Sequence, residues 1–468
     1  MPTISVAAAT LLLVTVLGFF TWLGMRARAS TGSLDDYLTA RGSQTALPLA
    51  LSFLASGAGA WILFAPPEVG AFIGPIGIAG YALGAGAPFL VYAFVGPRIR
   101  RVAPQGHGLT SFLRQRYGPV FHAYALALSV LYMLTFVTAE LTAAGSVTGL
   151  LSAIPPWVAV ALVAATTLLY TAWGGLRASL RTDRWQAVLL VVLLLGAAFA
   201  AAAALPEAND PAPIAADIGW SAGLTLIIAV TAANLFHQGY WQRVWSAASA
   251  TALTRGALAG GLISMLVIAL TGVLGLMAAQ SGLSLGEPPA PLFALFGLGP
   301  AWLAPLVLVL AVTLVASSVD TLESGLASLV GSERPNLSLG RARAITVILM
   351  VPAVAVALQG YSVLRILLVA DLLCATAVIP ALAGLSSRVT GHTALASALA
   401  GVAGAFAGAA WQQGSLAAVT FPGSVPTLGP FLGAILASGL VVAIGAAVNR
   451  ERIDPAEAGA AVPQLERG

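Results

Sequence analysis

Leu51-Ser52-Phe53-Leu54-Ala55-Ser56-Gly57-Ala58-Gly59-Ala60-Trp61, followed shortly by Pro66-Pro67, lies in the middle of an apolar run long enough to cross a membrane. A crossing helix needs about 20 apolar residues, yet each glycine here lowers helix propensity by about 1 kcal/mol relative to Ala. Small residues at this spacing also describe close helix packing. A second stretch changes the weight of the first. In Asn234-Leu235-Phe236-His237-Gln238-Gly239-Tyr240-Trp241-Gln242-Arg243, amides, an imidazole and aromatic rings crowd the end of another apolar run. Alone it describes an interfacial helix end. Together the two stretches suggest a matched pair of interrupted spans.

The rest of the chain has the composition such a pair requires. Of 468 residues 59% are hydrophobic and only 8% charged, against roughly 25% charged in a soluble domain. A water-exposed surface cannot be covered at that charge content, which excludes a soluble enzyme, a disordered chain and a nucleic-acid binder. The single cysteine, Cys374, excludes a disulfide framework and a Cys-based zinc site. His107, His122, His237 and His392 show no metal-ligand spacing. All basic residues are Arg, so there is no phosphate-cradling loop with its Lys, and ATP-driven transport by this chain is excluded. No cofactor is expected.

Reading between charge clusters gives thirteen candidate spans, near 3–25, 46–66, 71–96, 121–150, 155–173, 185–205 and 219–238, then 257–280, 301–330, 342–359, 362–385, 393–412 and 428–448. Strand alternation is absent, and a helix is the only open structure that lipid tolerates. Every odd-numbered span is followed by arginines: Arg26, Arg28 and Arg41; Arg98 to Arg116; Arg177, Arg181 and Arg184; Arg243 and Arg255; Arg334 to Arg343; Arg388; and Arg450 onward. Even-numbered loops carry Glu68, Glu207, Asp210, Asp217 and Glu287 instead. The positive-inside rule then puts the N-terminus outside and the C-terminus in the cytoplasm. The first span lacks a basic lead-in, as a retained helix does. Residues 1–449 read as one polytopic unit and 450–468 as a short cytoplasmic tail.

The interrupted spans are the second and the seventh. An odd separation means opposite directions through the bilayer, so two five-helix units, near 46–205 and 219–385, are related by inverted topology. Interrupted segments at matching positions of two halves point to a transporter site, where freed carbonyls can hold a cation. The ninth span adds Thr313, Ser317, Ser318, Asp320, Thr321, Glu323, Ser324 and Ser328. Hydroxyls in membrane helices often bond their own helix carbonyls. A carboxylate at depth needs a cavity, a cation or a partner. For Asp320 and Asp183 the plain expectation is an ion pair with an arginine such as Arg181 or Arg184. Glu140 and Asp371 are further intramembrane acids, and Arg365 stands six residues from Asp371, on another helix face.

Several separated motifs carry a resemblance. Asp36-Tyr37-Leu38-Thr39-Ala40-Arg41-Gly42 and Gly108-Leu109-Thr110-Ser111-Phe112-Leu113-Arg114-Gln115-Arg116-Tyr117-Gly118 are two of them. Tyr170-Thr171-Ala172-Trp173-Gly174-Gly175-Leu176-Arg177-Ala178, then Thr182-Asp183-Arg184-Trp185-Gln186, is the most specific, and Ala316-Ser317-Ser318-Val319-Asp320-Thr321 completes the order. In these the chain resembles the sodium:solute symporters, a family that includes proline, glucose, sialate and urea transporters. The resemblance implies an all-α membrane protein of LeuT-type fold: thirteen helices with a 5+5 inverted repeat, one extra N-terminal helix and two C-terminal ones. It also implies a sodium site at the carbonyls of Ala55, Ala58 and Leu314 and the hydroxyls of Ser317 and Ser318. A second sodium set, at Asp183, Asp320 and Thr321, is matched in part. Gly57 stands where the proline transporters have Asp, which weakens a proline substrate. Gln238 to Arg243 and Asp371-Leu372-Leu373-Cys374 look more like the urea-transporter branch.

The expectation is a sodium-coupled importer of a small polar solute, such as an amino acid or a urea-like compound, in the inner (cytoplasmic) membrane. Its solute would sit beside the ion, against Ser56, Gly57, Trp61, Asn234, His237 and Gln238. Proton coupling through Asp183 or Asp320 and passive facilitation are the alternatives.

Overall fold

The computed structural model describes residues 4–27, 34–204, 216–333 and 339–449, and the tail 450–468 lies outside them. The chain begins with α1 (Val6–Met25), the short α2 (Leu34–Thr39) and α3 (Ala46–Gly57). A 3-10 turn over Ala60–Leu63 leads to α4 (Ala65–Ile73), followed by α5 (Pro75–Phe94), α6 (Gly96–Val102), α7 (Leu109–Tyr117) and α8 (Pro119–Leu151). Then come α9 (Pro156–Ala203), α10 (Ala216–Asn234), α11 (Gln238–Ser246), α12 (Ala250–Gln280) and α13 (Pro291–Phe296). The chain closes with α14 (Leu303–Glu333), α15 (Leu339–Ala357), α16 (Val363–Leu382), α17 (Gly391–Gln413) and α18 (Leu428–Val448). Among the described residues the only bridges are two isolated pairs, Ile4 with Ser152 and Gln44 with Ala247. This is an all-helical membrane fold.

Nine described helices are long and apolar enough to cross a membrane, and eleven if each of two bent pairs is one span. At 1.5 Å per residue, the 48 residues of α9 reach about 72 Å, more than twice the hydrocarbon thickness. It is two helices joined at Gly175, whose φ of 57° and ψ of −147° are not helical. A side chain is unfavourable at that positive φ. A total of thirteen requires α9 to cross twice and α15 to cross once.

Both expected interruptions are present, and each extends further than the sequence indicated. α3 and the segment Ala60–Ile73 are bent by 62°, and Gly219–Asn234 and α11 by 57°. The second span was expected near 46–66. Pro66 and Pro67 occupy the first turn of α4, where a missing N–H costs nothing, and the bent unit runs on to Ile73. The seventh span likewise continues through α11 to Ser246, which draws Arg243 inside the protein at 0% exposure. That arginine therefore does not belong with the loop charges that orient the chain.

In α14, 83% of the most apolar stretch is buried, against 17% in α18. α14 is the central post. α1 packs on it and on α9 through Ala9, Leu13, Leu17, Phe20 and Leu23, a helical spacing that puts one face inward. α3 passes between α12, α9 and α14, while α17 and α18 pair at the edge.

Candidate functional site

In an unbroken helix the carbonyl of Ala55 would accept from Gly59 and that of Ala58 from Ile62. Here the Gly59 N–H turns to Gly57 O (3.2 Å) and the Ile62 N–H to Gly59 O (3.2 Å). Both carbonyls thus lose their helical donors. Across the gap, Ser317 Oγ on α14 donates to Ala55 O at 2.9 Å. Its neighbour Ser318 Oγ is buried with no hydrogen-bond partner, and Leu314 lies one turn earlier on α14. The expectation that such hydroxyls bond their own helix fails for Ser317. The local arrangement sets two main-chain carbonyls freed by the break near hydroxyls on the central post, with the Asp183 carboxylate also 3.4 Å from Ser317 Oγ.

The second expected ion set is arranged differently. Asp183 Oδ2 accepts from Arg243 Nη2 at 2.7 Å and from Ser52 Oγ at 2.5 Å, and both members of the ion pair are fully buried. Arg243 also donates through Nε to Ser52 Oγ (2.7 Å), through Nη1 to Gly239 O (2.7 Å) and through Nη2 to Thr321 Oγ1 (3.1 Å). The Asp183 partner is thus Arg243. Arg181 and Arg184, the arginines expected there, bond Arg26 O and Gln44 Oε1 instead. They flank Asp183 in sequence but cannot turn inward on the same helix face. Asp320 has no arginine and is held by hydroxyls: Tyr170 OH (2.7 Å), Ser179 Oγ (2.7 Å) and Thr182 Oγ1 (3.1 Å). Ser179 and Thr321 hydroxyls lie 3.2 Å apart, joining the two acids in one network.

The six expected solute contacts divide. Trp61 and His237 come together around Phe136, with ring centroids 6.3 and 5.5 Å from it. His237 Nδ1 lies 3.3 Å from the Tyr240 N–H, while Nε2 is buried without a partner. Gly57 faces this cluster but has no room for a side chain, because a Cβ there would come within 1.6 Å of Tyr240 OH. Ser56 Oγ bonds back to Ser52 O, and Asn234 Nδ2 to Val230 O (2.9 Å), so both are spent on their own helices. Gln238 turns away, donating to His107 O (3.0 Å) and Ser328 Oγ (3.1 Å).

Sequence reasoning missed the rings that complete this cluster. Tyr81 stacks on Trp61 at 5.8 Å, Tyr132 on Phe136 at 5.9 Å, and Tyr240 lies 4.4 Å from His237. Tyr81 and Tyr132 come from α5 and α8, where nothing in the local sequence marks them, while Tyr240 on α11 belongs to the aromatic stretch at 234–243 that the sequence did mark. Asp371 lies buried on α16, 6% exposed. Its charge amid apolar residues was the available signal. Arg365 does not reach it, since that guanidinium bonds Thr420 O at 3.0 Å. A separate cavity of about 570 Å³ has a wall that includes Phe64, Glu68, Thr142, Glu287 and Tyr361, with no basic residue.

The opposite, arginine-rich end is tied shut by ion pairs. The ion pairs are Arg41 with Asp35 and Arg177 with Asp36, both at 2.6 Å, and beside them His107 Nε2 lies 3.2 Å from Asp35 and His122 Nε2 2.9 Å from Glu333. Burial pushes Asp35 upward, but the hydrogen bond and charge of Arg41, with His107, outweigh it and lower its pKa below 3.8. His107 is lowered from 6.5, chiefly by burial.

Known proteins share this fold and part of the sequence. A spermidine transporter of Candida albicans is 29% identical over 80% of this chain and 75% of its own length. The urea active transporter of Saccharomyces cerevisiae is 26% identical over 46% of this chain, which spans about a third (33%) of that longer protein. Among solved structures, a sodium-coupled sialic acid symporter in a substrate-bound outward-open state superposes with a TM-score of 0.72 at 16% identity, over 94% of this chain and 98% of that one. A nucleobase-cation symporter in a closed conformation gives 0.56 at 13% identity, over 91% and 98%. At those identities the structures speak for the fold, which is LeuT-type. The sequence matches the description "Sodium:solute symporter family" over residues 37–401, and with that match the chain belongs to this family, as a multi-pass solute transporter and not an enzyme.

Proposed function

We propose that the protein is a sodium-coupled symporter that imports a small polar solute by alternating access. The observation that carries this is the contact of Ser317 Oγ with Ala55 O at 2.9 Å across a broken helix. Sodium would be held by Ala55, Ala58 and Leu314 carbonyls and the Ser317 and Ser318 hydroxyls. Neutral oxygens suit a hard monovalent ion that must also leave, since binding has to be weak enough for release. The solute would lie beside the ion against Trp61, His237 and the backbone of Gly57, whereas Ser56, Asn234 and Gln238 are held by other partners and would have to turn to reach it. The relatives named for spermidine and urea favour a small nitrogenous compound.

The geometry at Asp183 favours one sodium rather than two. A second ion at Asp183, Asp320 and Thr321 would compete with the Arg243 guanidinium, 2.7 Å from the Asp183 carboxylate. Arg243 is a tethered cation in that place. We place the N-terminus outside, the tail in the cytoplasm, the repeats near 46–205 and 219–385 within one unit of residues 1–449, and the chain in the inner membrane.

The test is uptake into proteoliposomes with sodium or potassium outside. Joint Ser317→Ala and Ser318→Ala substitution should abolish sodium stimulation, and sodium dependence in the parent should follow a Hill coefficient near one. Uptake that follows pH and ignores sodium would favour proton coupling, and flux without accumulation a passive facilitator.

A further inference from the structure

The break in the second span frees a donor as well as carbonyls. In an unbroken helix the Ala60 N–H would go to the Ser56 carbonyl. Here it donates to Glu140 Oε2 at 2.8 Å, and Glu140 is fully buried on α8. Gly59 makes room for that carboxyl, since a Cβ there would come within 1.7 Å of Oε1. Oε1 itself is buried with no hydrogen-bond partner, and among the described residues Glu140 forms no ion pair. Phe136 precedes Glu140 by four residues on α8, so the two share one helix face. The Phe136 ring is the one that meets both Trp61 and His237. In transporters with broken helices, the N-terminal ends of the half-helices are where anionic groups of solutes bind. This chain fills that place with a carboxyl of its own.

We infer that Glu140 is a specificity-determining residue: it occupies the backbone donor that a solute carboxylate would use, so the transported solute carries no carboxylate. This rests on the solute-transport reading above and narrows it, setting amino acids aside and keeping polar compounds without an acid group. A second carboxylate arriving at the break would meet a donor already taken and a carboxyl oxygen with no donor of its own. It would be opposed by charge and blocked by shape, which is how a binding site gains specificity against a competing ligand. Gly59 belongs to the same device, because any side chain there would displace the carboxyl from Ala60.

Glu140→Ala removes a fragment with the size and charge of acetate, which makes the test direct. Thermal unfolding of the purified full chain is followed in acetate, in chloride, and in chloride with acetamide, at one pH and ionic strength. The parent should respond alike to all three. Glu140→Ala should unfold at a lower temperature and regain at least about half of the loss in acetate, saturably, as a ligand of the folded state produces. Chloride and acetamide should restore nothing. Glu140→Gln keeps an oxygen for the Ala60 N–H and leaves no space, so acetate should not act on it. In proteoliposomes, a sodium gradient should drive no accumulation of radiolabelled L-alanine, L-proline or pyruvate by the parent protein, an assay that needs no variant. Accumulation of any of the three overturns the assignment. So does a folded Ala variant indifferent to acetate, or a Gln variant that responds as the Ala variant does. Repeating the unfolding series in potassium separates the two readings: acetate rescue equal in both cations, with sodium leaving the parent unchanged, overturns sodium coupling and leaves the exclusion of carboxylates standing.

Discussion

Asp183 and Asp371 are both carboxylates set deep in a membrane protein, and their surroundings could hardly differ more. Asp183 meets a fully buried guanidinium at 2.7 Å and the Ser52 hydroxyl, and Asp320 beside it accepts three hydroxyls. Asp371 is 6% exposed and has no ion-pair partner among the described residues. Depth in the membrane therefore does not mark a solute site. What separates the two regions is whether the protein itself supplies the compensating positive or donor groups. Where it does, the acid ties helices together; where it does not, the acid is left without compensation.

If this contrast is right, substitutions in the first region should lower stability and those in the second should not. The largest effect belongs to Arg243→Gln, which leaves Asp183 buried without its cation and should cost about 3–5 kcal/mol, seen as a large fall in thermal unfolding temperature in detergent. Asp183→Asn on top of it should recover part of the loss, and additive losses would dissolve the idea of a closed pair. Tyr170→Phe removes one donor from Asp320 and should cost about 1.5–3 kcal/mol, the range for a hydrogen bond to a charged group. The ion pairs at the arginine-rich end come next. Both Asp35 and His107 have depressed pKa values, so their contribution is present above the unfolded values. It is lost as pH falls, first below 6.5 for His107 and then below 3.8 for Asp35. Because these groups are partly exposed the change should be about 0.5 kcal/mol or less, and stability rising between pH 7 and 5 would contradict it. Asp371→Asn should have the smallest effect on unfolding, none or a slight gain, because it removes an uncompensated charge.

Much of this was readable beforehand, for identifiable reasons. Glycines beside small polar residues at mid-depth announced the break at 57–59, and the hydroxyl pair Ser317 and Ser318 stood out in an apolar run. Local composition could not reveal where each bent span ends. Pro66 and Pro67 serve equally well as a stop or as a first helical turn, and the structure uses them as the latter. Arg243 misled because a single arginine after an apolar stretch has the same local sequence whether it lies at the interface or folds inward to meet Asp183, 60 residues away in the chain. The rings of the aromatic cluster come from α5, α8, α11 and the turn at Trp61, and such a convergence, like the surroundings of Asp371, has no signature in any one element. The acid itself was visible, while its lack of a partner only emerges in three dimensions.

The hydroxyl of Tyr240 occupies the space that a side chain at position 57 would need. Its ring is also wedged among Phe53, Phe89, Tyr92 and His237. A descendant that acquired an acid at 57 would collide with the phenol, and one that first shortened the phenol would open a hole costing several kcal/mol. Neither order is easy, so the two positions are expected to change together or not at all. A lineage with glycine at 57 would then be held to its own solute preferences by an evolutionary ratchet, with few single-step routes to those of its acid-bearing cousins.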